Sequence, residues 1–217
     1  MSQDISQNHN DASDEDIYGI GRFLWEIVKV CILAFVIIIP IRVFFFQPFF
    51  VQGASMEPNF SDGQYLIIGE LGYKKTDMDL LGLHTISVDP TKELQRQEVA
   101  VFHPPSAPSA DQFFIKRVIG LPGETVEIKN GHVTIYNPTH SEGFVLDESA
   151  YLSSTVPTFA SNGNATYSVH LKDDEYFLMG DNRLYSHDSR AFGPVSKDKI
   201  TGRVLLRAWP VNKAEIY

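Results

Sequence analysis

The chain has 217 residues and a formal charge of −9, room for one domain behind an anchoring segment. With that acidity and no basic stripe to meet phosphates, nucleic acid is excluded as a partner. Cys31 is the single cysteine, so no intramolecular disulfide can form, and His84, His103, His132, His140, His170 and His187 lack the paired spacing of a metal centre; no metal and no cofactor are expected.

Residues 1–21 read as an acidic, disordered tail, with Asp4, Asp11, Asp14, Glu15 and Asp16 crowded at its start. An apolar segment follows over 23–50. Its uncharged centre, 30–41, is shorter than the usual span of about 20 residues. Arg22, Glu26, Lys29 and Arg42 flank or interrupt it, but long basic side chains snorkel, and Glu26 and Lys29 lie one helical turn apart. The expectation is one transmembrane helix over 22–43, its last turn loosened by Pro40. A cleaved export signal is the alternative; the acidic leading segment and the folded domain close behind argue against it. Positive charge favours the N-terminal side by a margin of one, Arg22 and Lys29 against Arg42.

Residues 43–51 are aromatic and extended, placed either at a membrane interface or under a site. Beyond them, short runs of Val, Ile and Phe alternating with polar residues predict strands over 64–69, 98–102, 112–119, 125–129, 132–136, 175–179 and 201–208. Asn130-Gly131 between two such runs predicts a two-residue hairpin. Residues 71–96, 103–111 and 137–170 read as loops. Residues 44–217 are therefore expected to form one mainly β domain of antiparallel sheet.

Three stretches carry chemistry. Val51-Gln-Gly-Ala-Ser-Met-Glu-Pro58 offers Ser55, and a serine hydroxyl needs a neighbouring base to act as a nucleophile. Phe113-Phe-Ile-Lys-Arg-Val-Ile-Gly-Leu-Pro-Gly-Glu124 offers Lys116 between apolar residues, where desolvation lowers an amine's pKa. Its neighbour Arg117 stays charged and is no base. Gly180-Asp-Asn-Arg-Leu-Tyr-Ser-His-Asp-Ser-Arg-Ala-Phe-Gly-Pro194 is dense in polar side chains that can hold such a pair. Within it, Asp188 and Arg190 are expected to pair along an extended segment, while Asp181, Asn182 and Arg183 are expected to stabilise turns.

Together these blocks resemble bacterial type I signal peptidase, the leader peptidase family of Ser-Lys serine peptidases, from about residue 45 to 204. The resemblance implies a membrane-bound endopeptidase with Ser55 as nucleophile and Lys116 as general base. Ser186 is then the residue that orients the lysine, Asp188 and Arg190 support the site, and the stretch at about 137–170 stands for a small inserted subdomain. The N-terminus would be cytoplasmic, with the catalytic domain on the outer face of the cell membrane. The implied partners are the lipid bilayer and signal peptides of secreted preproteins, cut after small residues at positions −1 and −3; the enzyme would act as a monomer. A substrate strand would lie between Pro48, Phe49, Phe50, Val51 and Gln52 on one side and Gln112, Phe113, Phe114 and Ile115 on the other.

Two residues depart from the family pattern. Gly53 stands where many members place an oxyanion-binding serine, leaving the Ser55 N–H as the one donor readable here. Asn59 stands where threonine is usual. A self-cleaving repressor-type peptidase would need an N-terminal DNA-binding domain, and a catalytically idle anchored binding module would be expected to lack Ser55 or Lys116.

Overall fold

The computed structural model describes residues 11–44, 46–73, 76–79, 85–88, 90–105, 112–153, 156–160 and 166–217. The chain divides into two compact units, Met1–Phe45 and Phe46–Tyr217.

The first unit is a single helix, α1, Asp11–Phe44. It begins inside the stretch read as a disordered tail; residues 1–10 lie outside the described ones. Acidic residues at Asp11, Asp14 and Glu15 sit in the first turns, where the helix dipole favours negative charge, so a pattern read as disorder is also a helix start. Between residues 20 and 38 its apolar side chains, among them Phe23, Trp25, Leu33 and Phe35, are exposed. Lys29 pairs with Glu26 at 2.6 Å. Among the described residues no helix is long and apolar enough to cross a membrane, and the span expected over 22–43 is not shown by them. Arg22, Glu26 and Lys29 interrupt the first turns of its apolar part.

The second unit is built of strands, as its alternating sequence requires. In chain order these are β1 (Phe46–Phe50), β2 (Tyr65–Gly69), β3 (Thr76–Asp79), β4 (Thr85–Val88), β5 (Val99–Phe102), β6 (Phe114–Gly120), β7 (Thr125–Lys129), β8 (His132–Asn137), β9 (His140–Val145), β10 (Thr166–His170), β11 (Glu175–Met179), β12 (Val195–Ser196), β13 (Ile200–Trp209) and β14 (Glu215–Ile216). A short helix, α2, covers Ser189–Phe192. The large sheet has the order β1-β2-β13-β5-β6-β11-β12, with β14 on β13. A second sheet runs β10-β7-β8-β9, and β3 and β4 form a separate hairpin.

The β7–β8 hairpin turns on Asn130 and Gly131, with φ of 52° and 84°. Positive φ at both central residues suits the twist of the flanking strands. The region read as a loop over 137–170 contributes β9 and β10, which flank β7 and β8 and complete the second sheet. Both added strands are exposed or half-buried along their length, so they lack the strong apolar alternation that marks a strand in sequence. The loop read over 71–96 likewise contains β3 and β4.

The core falls into three clusters. Val51, Met56, Phe60, Leu66 and Val101 pack under the turn that carries Ser55. Phe102, Val118, Tyr176 and Leu178 fill the space beside β6 and β11. Ile119, Val126, Ile135 and Phe177 join the two sheets.

Candidate active site

Ser55 sits in the turn that links β1 to β2. The neighbouring Met56 and Phe60 are buried and fix that turn from below. Asn182 holds it from above: its N–H donates to the Ser55 carbonyl and its side-chain amide to the Ala54 carbonyl, both at 3.0 Å. Gly180 lies so close that a Cβ there would stand 2.4 Å from the Ser55 carbonyl oxygen.

Lys116 lies on β6, opposite Ala100 of β5. It is 3 % exposed. Its Nζ donates to Ser55 Oγ at 2.7 Å and to the Ile115 carbonyl at 2.8 Å. The Phe114 ring lies 5.1 Å from the amine, as expected for a residue two positions away on a strand. Burial lowers the Lys116 pKa to about 8, against the opposing pull of the Asp188 and Asp181 carboxylates. An amine with that pKa is partly neutral near pH 7 and then carries a free lone pair.

Asp188 and Arg190 form a bidentate pair, at 2.9 Å and 2.8 Å. The extended backbone expected for them is not what brings them together. Asp188 caps α2, accepting from the Arg190 N–H at 3.2 Å, and the guanidinium folds back over the same carboxylate. The carboxylate also accepts from the Gly180 N–H at 3.0 Å. Burial would raise the Asp188 pKa, but Arg190 and these donors outweigh it and hold the carboxyl below its ordinary value.

Ser186 is near this cluster, but the expected hydrogen bond from it to Lys116 is not formed. Its buried hydroxyl oxygen meets hydrogen-bond geometry with no partner among the described residues, although it lies close enough to Asp188 to help keep that carboxyl ionised. The lysine is oriented instead by Ser55 and the Ile115 carbonyl.

Arg117 points to the opposite side of β6 from Lys116. It grips Asp181 at 2.7 Å and 2.5 Å and stacks over the Tyr151 ring at 4.2 Å. Asp181 thus does more than shape a turn: it ties the residue beside Lys116 to the loop that holds Ser55. Asn59 donates to the same carboxylate at 2.9 Å. Sequence reasoning missed this cluster because its members are far apart in the chain.

β11 pairs with β6 only from Arg117 onward, so Phe114–Lys116 face open space on that side. Across it stand the end of β1 and the turn beyond, with the Phe49 and Phe113 rings in edge contact at 5.0 Å. A groove of about 550 Å³ runs between them to Ser55 and Lys116. Phe49, Phe50, Val51 and Gln52 line one side and Gln112, Phe113, Phe114 and Ile115 the other. Pro48, expected among them, is not part of the lining; it pairs with Ile67 of β2. Tyr185 and His187 add a wall that the sequence did not suggest. Gly53 has φ of 87°, and its N–H donates to Asp62 at 2.7 Å.

Residues 24–209 match the family model for signal peptidase, peptidase S26. The chain belongs to the signal peptidase family. A probable signal peptidase I-2 from Synechocystis sp. is 31% identical over 191 residues, covering 87% of this chain and 74% of that protein. Signal peptidase IB from Staphylococcus aureus is 31% identical over 193 residues, covering 83% of this chain and 87% of that one. A crystal structure of a signal peptidase I from Enterococcus faecalis V583 aligns with 52% of this chain and 97% of its own, at 31% identity and a TM-score of 0.40. This signal peptidase is accordingly a peptidase, and its family membership supports the cleavage of signal peptides.

Proposed function

We propose that this signal peptidase is a membrane-bound serine endopeptidase that removes N-terminal signal peptides from exported preproteins, with Ser55 as nucleophile and Lys116 as general base. The supporting observation is the 2.7 Å contact between the Ser55 hydroxyl and a buried amine whose pKa is lowered to about 8. Neutral Lys116 takes the proton as Ser55 Oγ attacks the scissile carbonyl. It returns that proton to the leaving amine, forming an acyl-enzyme. A water, activated by the same amine, then releases the signal peptide and restores the serine.

The Ser55 N–H makes no hydrogen bond among the described residues, which leaves it for the oxyanion. Residues 49–52 and 112–115 supply the edges between which an extended substrate adds as a strand. Small side chains are proposed for positions −1 and −3, against the apolar residues that line this groove. Asp188 and Arg190 hold the floor of the site, with Ser186 beside them. The chemistry needs no cofactor or metal.

The exposed apolar side chains of α1 support a role for that helix in anchoring the enzyme to the lipid bilayer of the cell membrane. In this reading the helix enters from the cytoplasm and the catalytic domain works as a monomer on the outer face. The test is incubation of the full chain in detergent with a model preprotein, followed by N-terminal sequencing of the product. A single new N-terminus after small residues at −3 and −1 is expected. An intact preprotein, or cuts at unrelated sites, would contradict the proposal.

A further inference from the structure

We infer that Asn59 is a positioning residue for the Ser55–Lys116 pair, acting through the carboxylate it shares with Arg117. The inference rests on the Ser-Lys reading above and names a further residue for that site.

Asn59 is four residues past Ser55 in the same turn. Its side-chain amide makes two long-range bonds, to Asp181 Oδ2 at 2.9 Å and to the Tyr151 carbonyl at 2.8 Å. Its own carbonyl accepts from Arg207 of β13 at 2.7 Å. Asp181 Oδ2 also accepts from Arg117 Nη2 at 2.5 Å. One carboxylate oxygen therefore joins the nucleophile's turn to the residue beside the base. The next residue along, Asn182, grips the Ser55 carbonyl directly. A hydroxyl at position 59 has one proton to donate and could satisfy only one of these acceptors; the amide has two and satisfies both. Asn59 does not line the substrate groove, so it is separated from substrate contact.

Charge points the same way. Lys116 faces the Asp188–Arg190 pair, the Asp181–Arg117 pair and, across Phe114, His187. Asp181 in turn is approached by Arg117 from β6, by Arg183 from its own loop and by Asn59 from the nucleophile's turn. The Asn59 amide directs its positive end at Asp181 and offsets part of the negative potential reaching Lys116. Without it, the ammonium form of Lys116 gains.

The experiment uses the full chain in detergent, with Asn59→Ala, Asn59→Thr, Asp181→Asn and the Asn59→Ala/Asp181→Asn pair. Three readings are taken: kcat and KM on a model preprotein, thermal unfolding, and NMR titration of the lysine Nζ with Lys116 assigned by substitution. Asn59→Ala is expected to lower kcat roughly ten- to a hundred-fold, the scale of a slight misplacement of reacting groups, with KM held within about twofold. The Lys116 titration should move to higher pH. Asn59→Thr should recover part of kcat. The double variant should be little worse than Asp181→Asn alone, since the two residues act through one contact. Additive losses in the double variant would overturn the inference. So would a lower unfolding temperature with kcat of the folded enzyme and the Lys116 titration both unchanged, because Asn59 would then only stabilise the fold. The titration is independent of cleavage: if wild-type enzyme failed to cut preproteins, the peptidase reading would fall while the Asn59–Lys116 coupling would still be measured.

Discussion

Lys116 Nζ donates to Ser55 Oγ at 2.7 Å from a position that is 3 % exposed. That contact joins two residues 61 positions apart and gives each what it lacks. In the proposed dyad the serine gains a base, and burial keeps the amine from holding its proton as tightly as a free lysine would.

Removing either partner should abolish cleavage. Ser55→Ala and Lys116→Ala are each expected to reduce kcat to near background, and the double variant should be scarcely worse than either. Lys116→Arg should be equally inactive, because a guanidinium stays charged. Preprotein cleavage followed by gel and mass spectrometry checks all four, with circular dichroism to confirm the fold.

The lysine carries a stability cost with a defined pH window. Its folded pKa of about 8 lies below the ordinary 10.5, so the unfolded chain binds more protons between those values. Stability therefore rises with pH across that window, and the full cost, roughly 3 kcal/mol, is present below it. Lys116→Met should be more stable than wild type at pH 7, with the difference shrinking as pH rises toward 10.5. Urea unfolding at a series of pH values measures it.

Gly53→Ser should lower kcat rather than raise it. Space for a side chain exists, since a Cβ at Gly53 would meet no atom within 4 Å. The obstacle is the backbone, which holds φ at 87° and aims the Gly53 N–H at Asp62. Side-chain-bearing residues seldom adopt that angle. Relaxing it would shift the turn that carries Ser55. Steady-state kinetics should show kcat falling with little change in KM; a rise in kcat would mean that the added hydroxyl works as an oxyanion donor.

Asp188→Asn should separate support from catalysis. It leaves the Arg190 guanidinium buried without its counter-charge, a loss of about 3–5 kcal/mol for a broken buried pair. It also removes a carboxylate that raises the Lys116 pKa. The unfolding temperature should fall, while the acid limb of kcat/KM in the folded enzyme moves to lower pH.

Lys116 was visible because its own apolar neighbours mark a desolvated amine, whereas Ser55 stood out only through the three blocks taken together. Phe113, Phe114 and Ile115 announced a desolvated amine, and the amine is desolvated. Asp188 and Arg190 were visible as a pair, though the backbone that joins them is a helix cap and not a strand. Asn59 and Asp181 were hidden because their partnership spans 122 positions and leaves no local pattern. Pro48 was expected on the groove wall because strand direction alone does not say which way each residue faces. β9 and β10 escaped because exposed strands at the margin of a small sheet carry little apolar alternation. The acidic start of α1 looked like a tail because the same charges suit disorder and a helix N-terminus.

The most direct measurement is covalent labelling of the site with a peptidyl fluorophosphonate bearing alanine at the −1 and −3 positions, followed by peptide mapping. Such reagents phosphonylate a serine only when a nearby base activates it. Above pH 8, where Lys116 is mostly neutral, the label should appear on Ser55 alone and should vanish in Lys116→Ala. Labelling of another residue, or of Ser55 at an unchanged rate in Lys116→Ala, would contradict the Ser-Lys assignment.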